Sequence, residues 1–292
     1  MRLSEARRAV AAARLVASAH DLAVDDVVVL RNSNKLTARL LPCDVLARVA
    51  PSAEQIAAFE VELAQQLADA QSPVAALESR VEPCVYEHDG FAVTLWTYYD
   101  SLSDPEVSPA DYADALGRLH ARMRMLKLAT PHFRDRVAEA EGLVASRDRT
   151  PALADADREI LTNTLRSKVR AIADRGAAEQ VLHGEPHPGN LLNTKKSGLR
   201  FIDLETCCRG PVEFDLAHVP TNVVEYYASV DHELLSECRG LVLAMVAAWR
   251  WDAGDQLPHG RRAARDLVGA LRDGPPWPAL DEVGRRFESP SR

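Results

Sequence analysis

The residues best suited to chemistry lie in one short loop and in a carboxylate that follows it. The loop spans 183–190 with the sequence HGEPHPGN, and Asp203 follows thirteen residues after Asn190. A carboxylate can orient a hydroxyl nucleophile, while an amide oxygen and a second carboxylate can hold magnesium against nucleotide phosphates. Glu185, Asn190 and Asp203 supply these three groups. Their order and spacing therefore predict metal-assisted phosphoryl transfer.

A β-hairpin is predicted to position the two metal ligands. Short strand-like runs near Leu191 and over 199–202 flank a Lys-Lys-Ser-Gly turn at 195–198. Such a hairpin has Asn190 at one end and Asp203 at the other, within reach of one metal ion.

Two further residues are predicted to shape the loop without taking part in the reaction. His183 is expected to hold the loop through hydrogen bonds of its imidazole to backbone or to Asp203. Asp215 is expected to accept hydrogen bonds from the loop.

The chain up to the hairpin at 81–98 is predicted to form a β-rich unit. An amphipathic helix over 4–19 leads into three short strands around a polar turn at 31–35. A second helix and a hairpin closed by an Asp-Gly pair follow. The predicted strands are 27–30, 36–41, 45–49, 81–86 and 91–98, and the second helix is 53–70.

From Ser108 onward the periodicity is mostly helical, with one interruption at 181–207 that contains the loop. We therefore expect an N-terminal lobe over 1–98 and a helical lobe over 99–292, which would hold the catalytic loop and the acceptor pocket. The fold class is α+β. The predicted helices of the second lobe are 109–127, 134–145, 154–174, 229–251 and 260–271.

Composition and charge exclude several classes of function. The net charge of −8 argues against a nucleic-acid partner, which needs clustered Lys and Arg. The longest strongly apolar run, 241–249, is about half of the ~20 residues that a membrane span needs, so no membrane partner is expected. The five cysteines show no metal-ligand spacing and fit a reduced, cytoplasmic protein. The oligomeric state is not predicted.

The motifs at 183–190 and 201–205 resemble the catalytic loop and the magnesium-binding segment of the aminoglycoside phosphotransferase and choline kinase superfamily. Two further segments support the likeness: LGRLH at 116–120 and GPVEFDLA at 210–217. The resemblance implies a bilobal, protein-kinase-like fold, ATP or GTP as the phosphoryl donor, and Mg²⁺.

The resemblance also implies nucleotide-binding residues in the N-terminal lobe. Arg48 lies on the third strand, where the family has a basic residue, and Glu60 lies where its carboxylate partner is found, with Glu62 as the alternative. The strand at 91–98 corresponds to the family's adenine-binding hinge. The residues assigned to the nucleotide are Arg48, Glu60, Trp96, Thr97, Tyr98, Ser33 and Asn34.

Three residues or segments depart from the family's pattern. Glu185 stands where Asp is usual, Arg48 replaces the common Lys, and the turn at 32–35 contains no glycine. One extra methylene can displace a carboxylate by about an ångström, which can cost around a hundredfold in rate. Arg keeps a fixed positive charge that can bind phosphate in a fork.

Three functions are compatible with this pattern. The first is a kinase that phosphorylates a hydroxyl of a small, cationic acceptor such as an aminoglycoside or another antibiotic, and the second is a kinase for an amino alcohol or a sugar. The third is a nucleotide-binding protein that has lost turnover. Late acidic residues could bind a cationic acceptor or form a solvated helix face: Glu225, Asp231, Glu233, Glu237, Asp252 and Asp255.

Overall fold

The computed structural model describes residues 1–33, 35–52, 56–102 and 107–285. The chain divides into two compact units. The first comprises Met1–Glu106 and Leu191–Glu205, and the second comprises Val107–Asn190 and Thr206–Arg292. The segment 191–205, which the sequence groups with the helical lobe, thus packs with the first unit.

An antiparallel sheet forms the centre of the first unit. Its strand order is β1-β2-β3-β5-β4, and every neighbouring pair is antiparallel. Side chains alternate between buried and half-buried along β2 and β3, as the period of two requires when one face covers a core. The strands are β1 (Val24–Asn32), β2 (Leu36–Pro42), β3 (Val45–Pro51), β4 (Tyr86–His88) and β5 (Phe91–Thr97).

Two helices complete the first unit. Helix α1 (Leu3–Ala19) packs a face of small residues, including Ala9 and Ala13, against the core face of the sheet. Alanine permits a close approach between the helix and the strands and has the highest helix propensity. Helix α2 (Ile56–Asp69) buries Leu63 and Leu67 along one side.

The predicted strand at 81–86 is wrong. Only Tyr86 of that range is extended in the sheet, at the start of β4. Pro83 interrupts the run, because proline cannot donate to a β-ladder. Before it, Val74 and Leu77 make isolated bridges to Phe201 and Trp96 instead of forming a continuous strand.

The predicted hairpin after the loop is present. Strands β7 (Leu191–Thr194) and β8 (Gly198–Phe201) pair in antiparallel register. The Thr194 hydroxyl donates to the Gly198 carbonyl at 2.8 Å and closes the turn. The Phe201 amide donates to the Pro73 carbonyl at 2.8 Å, which attaches the hairpin to the first unit.

The second unit is built mainly from helices. Its short strands β6 (Gln180–Leu182) and β9 (Cys208–Gly210) pair with each other in antiparallel register. Along the chain, β6 precedes the loop at 183–190 and β9 follows it. The predicted long helices are present with ends shifted by a few residues. The helices are α3 (Pro109–Met123), α4 (Phe133–Ala145), α5 (Asp155–Asp174), α6 (Val212–Leu216), α7 (Thr221–Val224), α8 (His232–Trp251), α9 (Gly260–Asp273) and α10 (Leu280–Arg285).

Helix α8 begins later than predicted because its cap fixes the start. The Asp231 carboxylate accepts hydrogen bonds from the amides of Glu233 and Leu234, each at 3.0 Å, and so satisfies donors of the first turn. The short elements β6, β9, α6, α7 and α10 were not predicted, because segments of three to six residues show too little periodicity to be recognised.

Within the described ranges, no helix has both the length and the apolarity to cross a membrane. All five cysteines are free thiols.

Candidate functional site

Arg48 joins two of the predicted site carboxylates in the first unit. The register of β3 pairs Arg48 with Thr37 on one side and Thr94 on the other, on the face of the sheet opposite to buried Ala47 and Val49. This ion pair between strand and helix was predicted from the sequence, and it is present. Nη1 of Arg48 lies 2.8 Å from Oε1 of Glu60, and Nη2 lies 2.5 Å from Oδ1 of Asp203.

Both partners help to keep the arginine charged. Burial disfavours the charged guanidinium, but the carboxylates of Glu60 and Asp203 outweigh it and raise the pKa of Arg48. Glu60 is only 3% exposed, on the same side of α2 as Leu63 and Leu67. A carboxylate at this depth is stable only when it is paired, and Arg48 provides a pair.

Asp203 follows β8 in an unusual backbone conformation. Its φ is +67°, in the left-handed region that non-glycine residues adopt rarely and Asp more readily than most. Such a conformation persists only where the surroundings enforce it, and it often marks a functional position. The strand β8 and the bond to Arg48 hold the Asp203 carboxylate near Glu60.

Sequence reasoning missed a second buried cation at this place. Lys35 precedes β2, and its Nζ lies 3.4 Å from Oε2 of Glu60 and forms an ion pair with Glu205. Desolvation by burial lowers the pKa of Lys35, and the carboxylate of Glu60 opposes that shift.

The carboxylates of this cluster fit a hard divalent cation. Oxygen atoms of Glu60, Asp203 and Glu205 all lie within 4.8 Å of one another. Carboxylate oxygens are the ligands that magnesium and calcium prefer in proteins. Of the two predicted metal ligands this donor set contains Asp203, and it is compatible with a magnesium ion at that carboxylate.

The three predicted adenine-binding residues lie at the end of β5. The Trp96 indole donates to the Thr94 hydroxyl at 2.8 Å, and its ring lies 5.8 Å from the Arg48 guanidinium carbon. The Thr97 amide donates to the Ala76 carbonyl at 2.9 Å, so this amide is already used within the unit. Tyr98 stacks under the guanidinium of Arg39 at 3.8 Å.

Ser33 lies in the turn between β1 and β2, next to Lys35. Its amide donates to the Lys35 carbonyl at 3.0 Å, which closes the turn. Asn34 lies outside the described residues.

In the second unit, Asp215 holds the backbone of the loop at 183–190. The carboxylate is completely buried, and it accepts hydrogen bonds from the amides of His183 at 2.9 Å and Gly184 at 2.8 Å. Nε2 of His120 lies 2.9 Å from the same carboxylate. Burial opposes ionisation, but these partners prevail and lower the pKa of Asp215, led by the hydrogen bond from His120.

Gly184 is required by the shape of the loop. Its φ is +89°, and a Cβ at this position would lie 2.0 Å from the carbonyl oxygen of Thr206. A side chain here would therefore force the backbone apart. His183 adds a further restraint, since its Nδ1 accepts from the Glu185 amide at 3.4 Å and its carbonyl accepts from the Thr206 hydroxyl at 3.2 Å.

The carboxylate of Glu185 is held by an arginine that the sequence did not reveal. Arg136 on α4 forms an ion pair with Glu185 through Nη2 and donates from Nη1 to the Gly184 carbonyl at 3.1 Å. The ring of Trp249 lies 5.0 Å from the same guanidinium. Burial disfavours the charged carboxylate, but the charge of Arg136 prevails and lowers the pKa of Glu185.

A buried histidine lies next to this pair. His218 is 4% exposed, and a ring nitrogen, Nδ1, lies 2.9 Å from the Phe214 carbonyl. Desolvation lowers the pKa of His218 to about 4, although the negative charge of Glu185 opposes the shift. The ring is therefore neutral at pH 7, and the Nδ1 proton is donated to Phe214.

Asn190 ends the loop and is buried. Its amide nitrogen donates to the Glu185 carbonyl at 3.0 Å. This bond fixes the plane of the side-chain amide, whose oxygen is of the atom type that magnesium prefers.

Most of the late acidic residues are paired with basic side chains of the second unit. Lys168 lies 2.8 Å from Glu237, Arg175 lies 3.1 Å from Asp231, and Arg250 lies 2.5 Å from Asp255. Glu233 and Asp252 also have arginine partners. These pairs favour a structural role on the helix surface over a pocket for a cationic acceptor.

Comparison with known proteins identifies the family and the fold. The sequence model of the phosphotransferase enzyme family matches residues 25–249. No curated protein matches the chain significantly. Similar solved structures include the amicoumacin kinase hAmiN in complex with AMP-PNP and Ca²⁺, at 10% identity and a TM-score of 0.71, covering 97% of this chain and 100% of that one.

Two more solved structures share the fold. The choline kinase LicA from Streptococcus pneumoniae has 18% identity and a TM-score of 0.65, covering 89% of this chain and 97% of its own. The spectinomycin phosphotransferase APH(9)-Ia has 10% identity and a TM-score of 0.63, covering 93% and 96%. The predicted α+β, protein-kinase-like fold and the predicted enzyme class are confirmed. The chain belongs to the phosphotransferase enzyme family, as its loop and Asp203 motifs indicated.

Proposed function

We propose that this protein is a magnesium-dependent kinase that transfers the γ-phosphoryl group of ATP or GTP to a hydroxyl of a small molecule. The observation that carries the proposal is the Arg48 guanidinium, bound to both Glu60 and Asp203. It brings the cation proposed for the nucleotide phosphates next to the carboxylate proposed for the metal. Both charges are needed at one place for phosphoryl transfer.

The metal would be held by Asp203 and Asn190, and it would neutralise charge on the phosphate oxygens. Arg48 would bind phosphate through its planar fork while Glu60 keeps the guanidinium oriented. Solved relatives in complex with AMP-PNP, ADP and GDP are consistent with a nucleotide donor.

Glu185 would orient the acceptor hydroxyl. Because phosphoryl transfer passes through a loose transition state, the main task of this carboxylate is alignment, and little proton transfer is needed before the phosphoryl group has moved. The ion pair with Arg136 supports this role, since a carboxylate of lowered pKa is a weak base but a well-oriented acceptor of a hydrogen bond.

The acceptor is proposed to be a small, cationic alcohol, in the class of amino sugars, other antibiotics and amino alcohols. The net charge of −8 favours a cation. Similar structures include a complex with kanamycin and a choline kinase. The ion-paired helix carboxylates lend no support to any particular cation.

A second candidate is a nucleotide-binding protein without turnover. The observation in its favour is that Arg136 already engages the Glu185 carboxylate, which is also one methylene longer than the family's usual Asp. A carboxylate held back in this way could fail to reach the acceptor.

Acceptor-dependent ADP or GDP release separates the two candidates. Purified protein with MgCl₂ and ATP or GTP would be incubated with aminoglycosides, peptide antibiotics, macrolides, sugars and amino alcohols. The kinase is expected to release ADP or GDP with at least one acceptor and to add one phosphoryl group to that acceptor, as measured by mass spectrometry. Mg-nucleotide binding with no phosphorylated product across the panel would favour the non-catalytic protein.

A further inference from the structure

Lys35 is a buried lysine between two carboxylates of the first unit. Its side chain is 9% exposed, although lysine is among the residues least often buried. Nζ lies 3.4 Å from Oε2 of Glu60, and the ammonium also forms an ion pair with Glu205. The turn bond from the Ser33 amide to the Lys35 carbonyl fixes the backbone from which this side chain projects.

Lys35 and Arg48 share Glu60 as a partner. Arg48 binds Oε1 at 2.8 Å, and Lys35 approaches Oε2 at 3.4 Å. Asp203 and Glu205 complete the cluster, so three carboxylates face two cations and one formal negative charge remains.

The two cations differ in freedom to move. The Arg48 fork is engaged at both ends, by Glu60 and by Asp203, in a planar geometry that leaves little rotation. Lys35 carries its charge on a flexible four-carbon stem with three donors. Its contact with Glu60, at 3.4 Å, is longer than that of Arg48, at 2.8 Å, so less free energy is lost when it breaks.

Binding of a magnesium-nucleotide complex would change the partners of Lys35 in this cluster. The metal's charge would compensate the carboxylates that now bind Lys35, and the buried ammonium would then need another anion. Phosphate oxygens that arrive with the same metal would supply one. A lysine that served only to neutralise the carboxylates would become superfluous at this point.

We propose that Lys35 is a second phosphate-binding cation. When the nucleotide binds, its ammonium moves away from Glu205 and Glu60 and contacts the phosphates, while Arg48 stays paired with Glu60. This inference rests on the proposed nucleotide site. Lys35 would supply, from the turn before β2, the flexible ammonium that β3 of this chain lacks because it carries arginine.

The test is the dependence of binding on the number of phosphates, measured by calorimetry with Mg-ATP and with AMP. Lys35→Met is expected to weaken Mg-ATP binding by about tenfold or more, as for a lost charge-assisted contact. Its AMP affinity should change by less than about twofold, a difference within the usual scatter of such contacts. Lys35→Arg, which keeps the charge, should fall between wild type and Lys35→Met. The matched control Lys196→Met removes an exposed lysine of the β7–β8 turn and should bind like wild type.

Each alternative result has a definite meaning. Wild-type affinity of Lys35→Met for Mg-ATP would overturn the role of Lys35 and leave the proposed kinase standing. An equal loss for Mg-ATP and AMP would overturn it too, because Lys35 would then act only on the shape of the site. If Lys35→Met does not fold, Lys35→Gln decides, because it also removes the charge, and unchanged Mg-ATP affinity in that folded variant would reject the proposal. No binding of Mg-ATP to wild type would reject both this inference and the proposed function.

Discussion

The two units each pair an arginine with a proposed active carboxylate, but the charge balance around the two pairs differs. Arg48 is shared between Glu60 and Asp203, in a cluster where carboxylates outnumber cations. Arg136 forms an ion pair with Glu185 and also donates to the Gly184 carbonyl, beside a histidine that is neutral at pH 7. A divalent cation can compensate the excess negative charge of the first cluster. A charge-balanced pair such as Arg136 and Glu185 instead holds the carboxylate in one orientation. The comparison supports the proposal that Asp203 in the first cluster binds the metal and that Glu185 in the second pair aligns the acceptor.

A third carboxylate, Asp215, shows that the hydrogen-bond partners of a buried carboxylate determine its role in the structure. Asp215 is buried like Glu60, yet two backbone amides and a histidine occupy its oxygens. With its hydrogen-bonding capacity used in this way, Asp215 stabilises the loop and is a poor candidate for a ligand of metal or substrate.

The largest effect that we expect is a loss of stability when Asp215 is replaced, which distinguishes this carboxylate from the others. Asp215→Ala would leave the amides of His183 and Gly184 buried without an acceptor, and the unfolding free energy should fall by about 3–5 kcal/mol. Urea denaturation measures this loss. Asp215→Asn keeps one oxygen acceptor and should lose less. A loss below about 0.5 kcal/mol, the size of an ordinary surface substitution, would mean that Asp215 does not hold the loop.

The neutral histidine next to Glu185 predicts a pH dependence of stability. The pKa of His218 is about 4 in the folded state and 6.5 when unfolded, so the unfolded chain binds the extra proton between these values. The stabilisation of the folded state that comes from keeping His218 neutral is therefore fully present above pH 6.5 and is lost as the pH falls toward 4. It amounts to about 3 kcal/mol.

His218→Gln removes this titration and should flatten the decline in unfolding free energy between pH 6.5 and pH 4. Acid unfolding followed by circular dichroism gives the two curves. The control His88→Gln alters an exposed histidine of β4 and should keep the wild-type slope. An unchanged slope in His218→Gln would show that His218 is not held neutral in the folded state.

Glu185 is expected to govern turnover and leave nucleotide binding unaffected. Glu185→Gln keeps the size of the side chain and removes its charge, so turnover with a competent acceptor should fall about 10²-fold, while Mg-nucleotide affinity stays near wild type. Steady-state ADP release and calorimetry measure the two quantities. Turnover close to wild type would transfer the role to another carboxylate, with Glu205 as the first alternative.

Arg136 is expected to have a smaller effect on the same step, through the position and pKa of Glu185. Arg136→Met removes the charge that lowers this pKa, and burial would then raise it. An ionised carboxylate is present only above its pKa, so the acid limb of the pH–rate profile should move to higher pH. Turnover at pH 7 should fall by about tenfold.

The matched control for this variant is Arg134→Met, an exposed position on the same helix, which should keep the wild-type profile. If Arg136→Met reduced turnover without moving the acid limb, Arg136 would support the fold of the loop and would not set the protonation of Glu185.

The sequence predicted those features of the structure that depend on the local pattern of residues. Alternating side chains and helical periodicity located β2, β3, β5 and the long helices. The pair of Arg48 and Glu60 was predicted from the family resemblance together with the apolar side of α2 on which Glu60 lies. The short strand over 81–86 failed because Pro83 breaks it. This break could have been anticipated from the residue itself.

The remaining site residues could not be predicted because their contacts join distant parts of the chain. Arg136 reaches a partner 49 residues away. Its place beside the apolar face of α4, three residues after Phe133, could have indicated a buried side chain but not the identity of that partner. Lys35 appeared as an ordinary polar residue of a turn, and only the packed structure brings Glu60 and Glu205 to its ammonium. Pairing of this kind follows from tertiary packing.

The most direct test of the contrast between the two clusters is the magnesium-dependent thermal shift produced by ATP in Asp203→Ala and Glu185→Gln. A ligand that binds only the folded state raises the melting temperature, so the shift reports on nucleotide binding independently of turnover. We predict that Asp203→Ala loses the shift and that Glu185→Gln retains it. A wild-type shift in Asp203→Ala would contradict the assignment of the metal-nucleotide site to the cluster around Arg48.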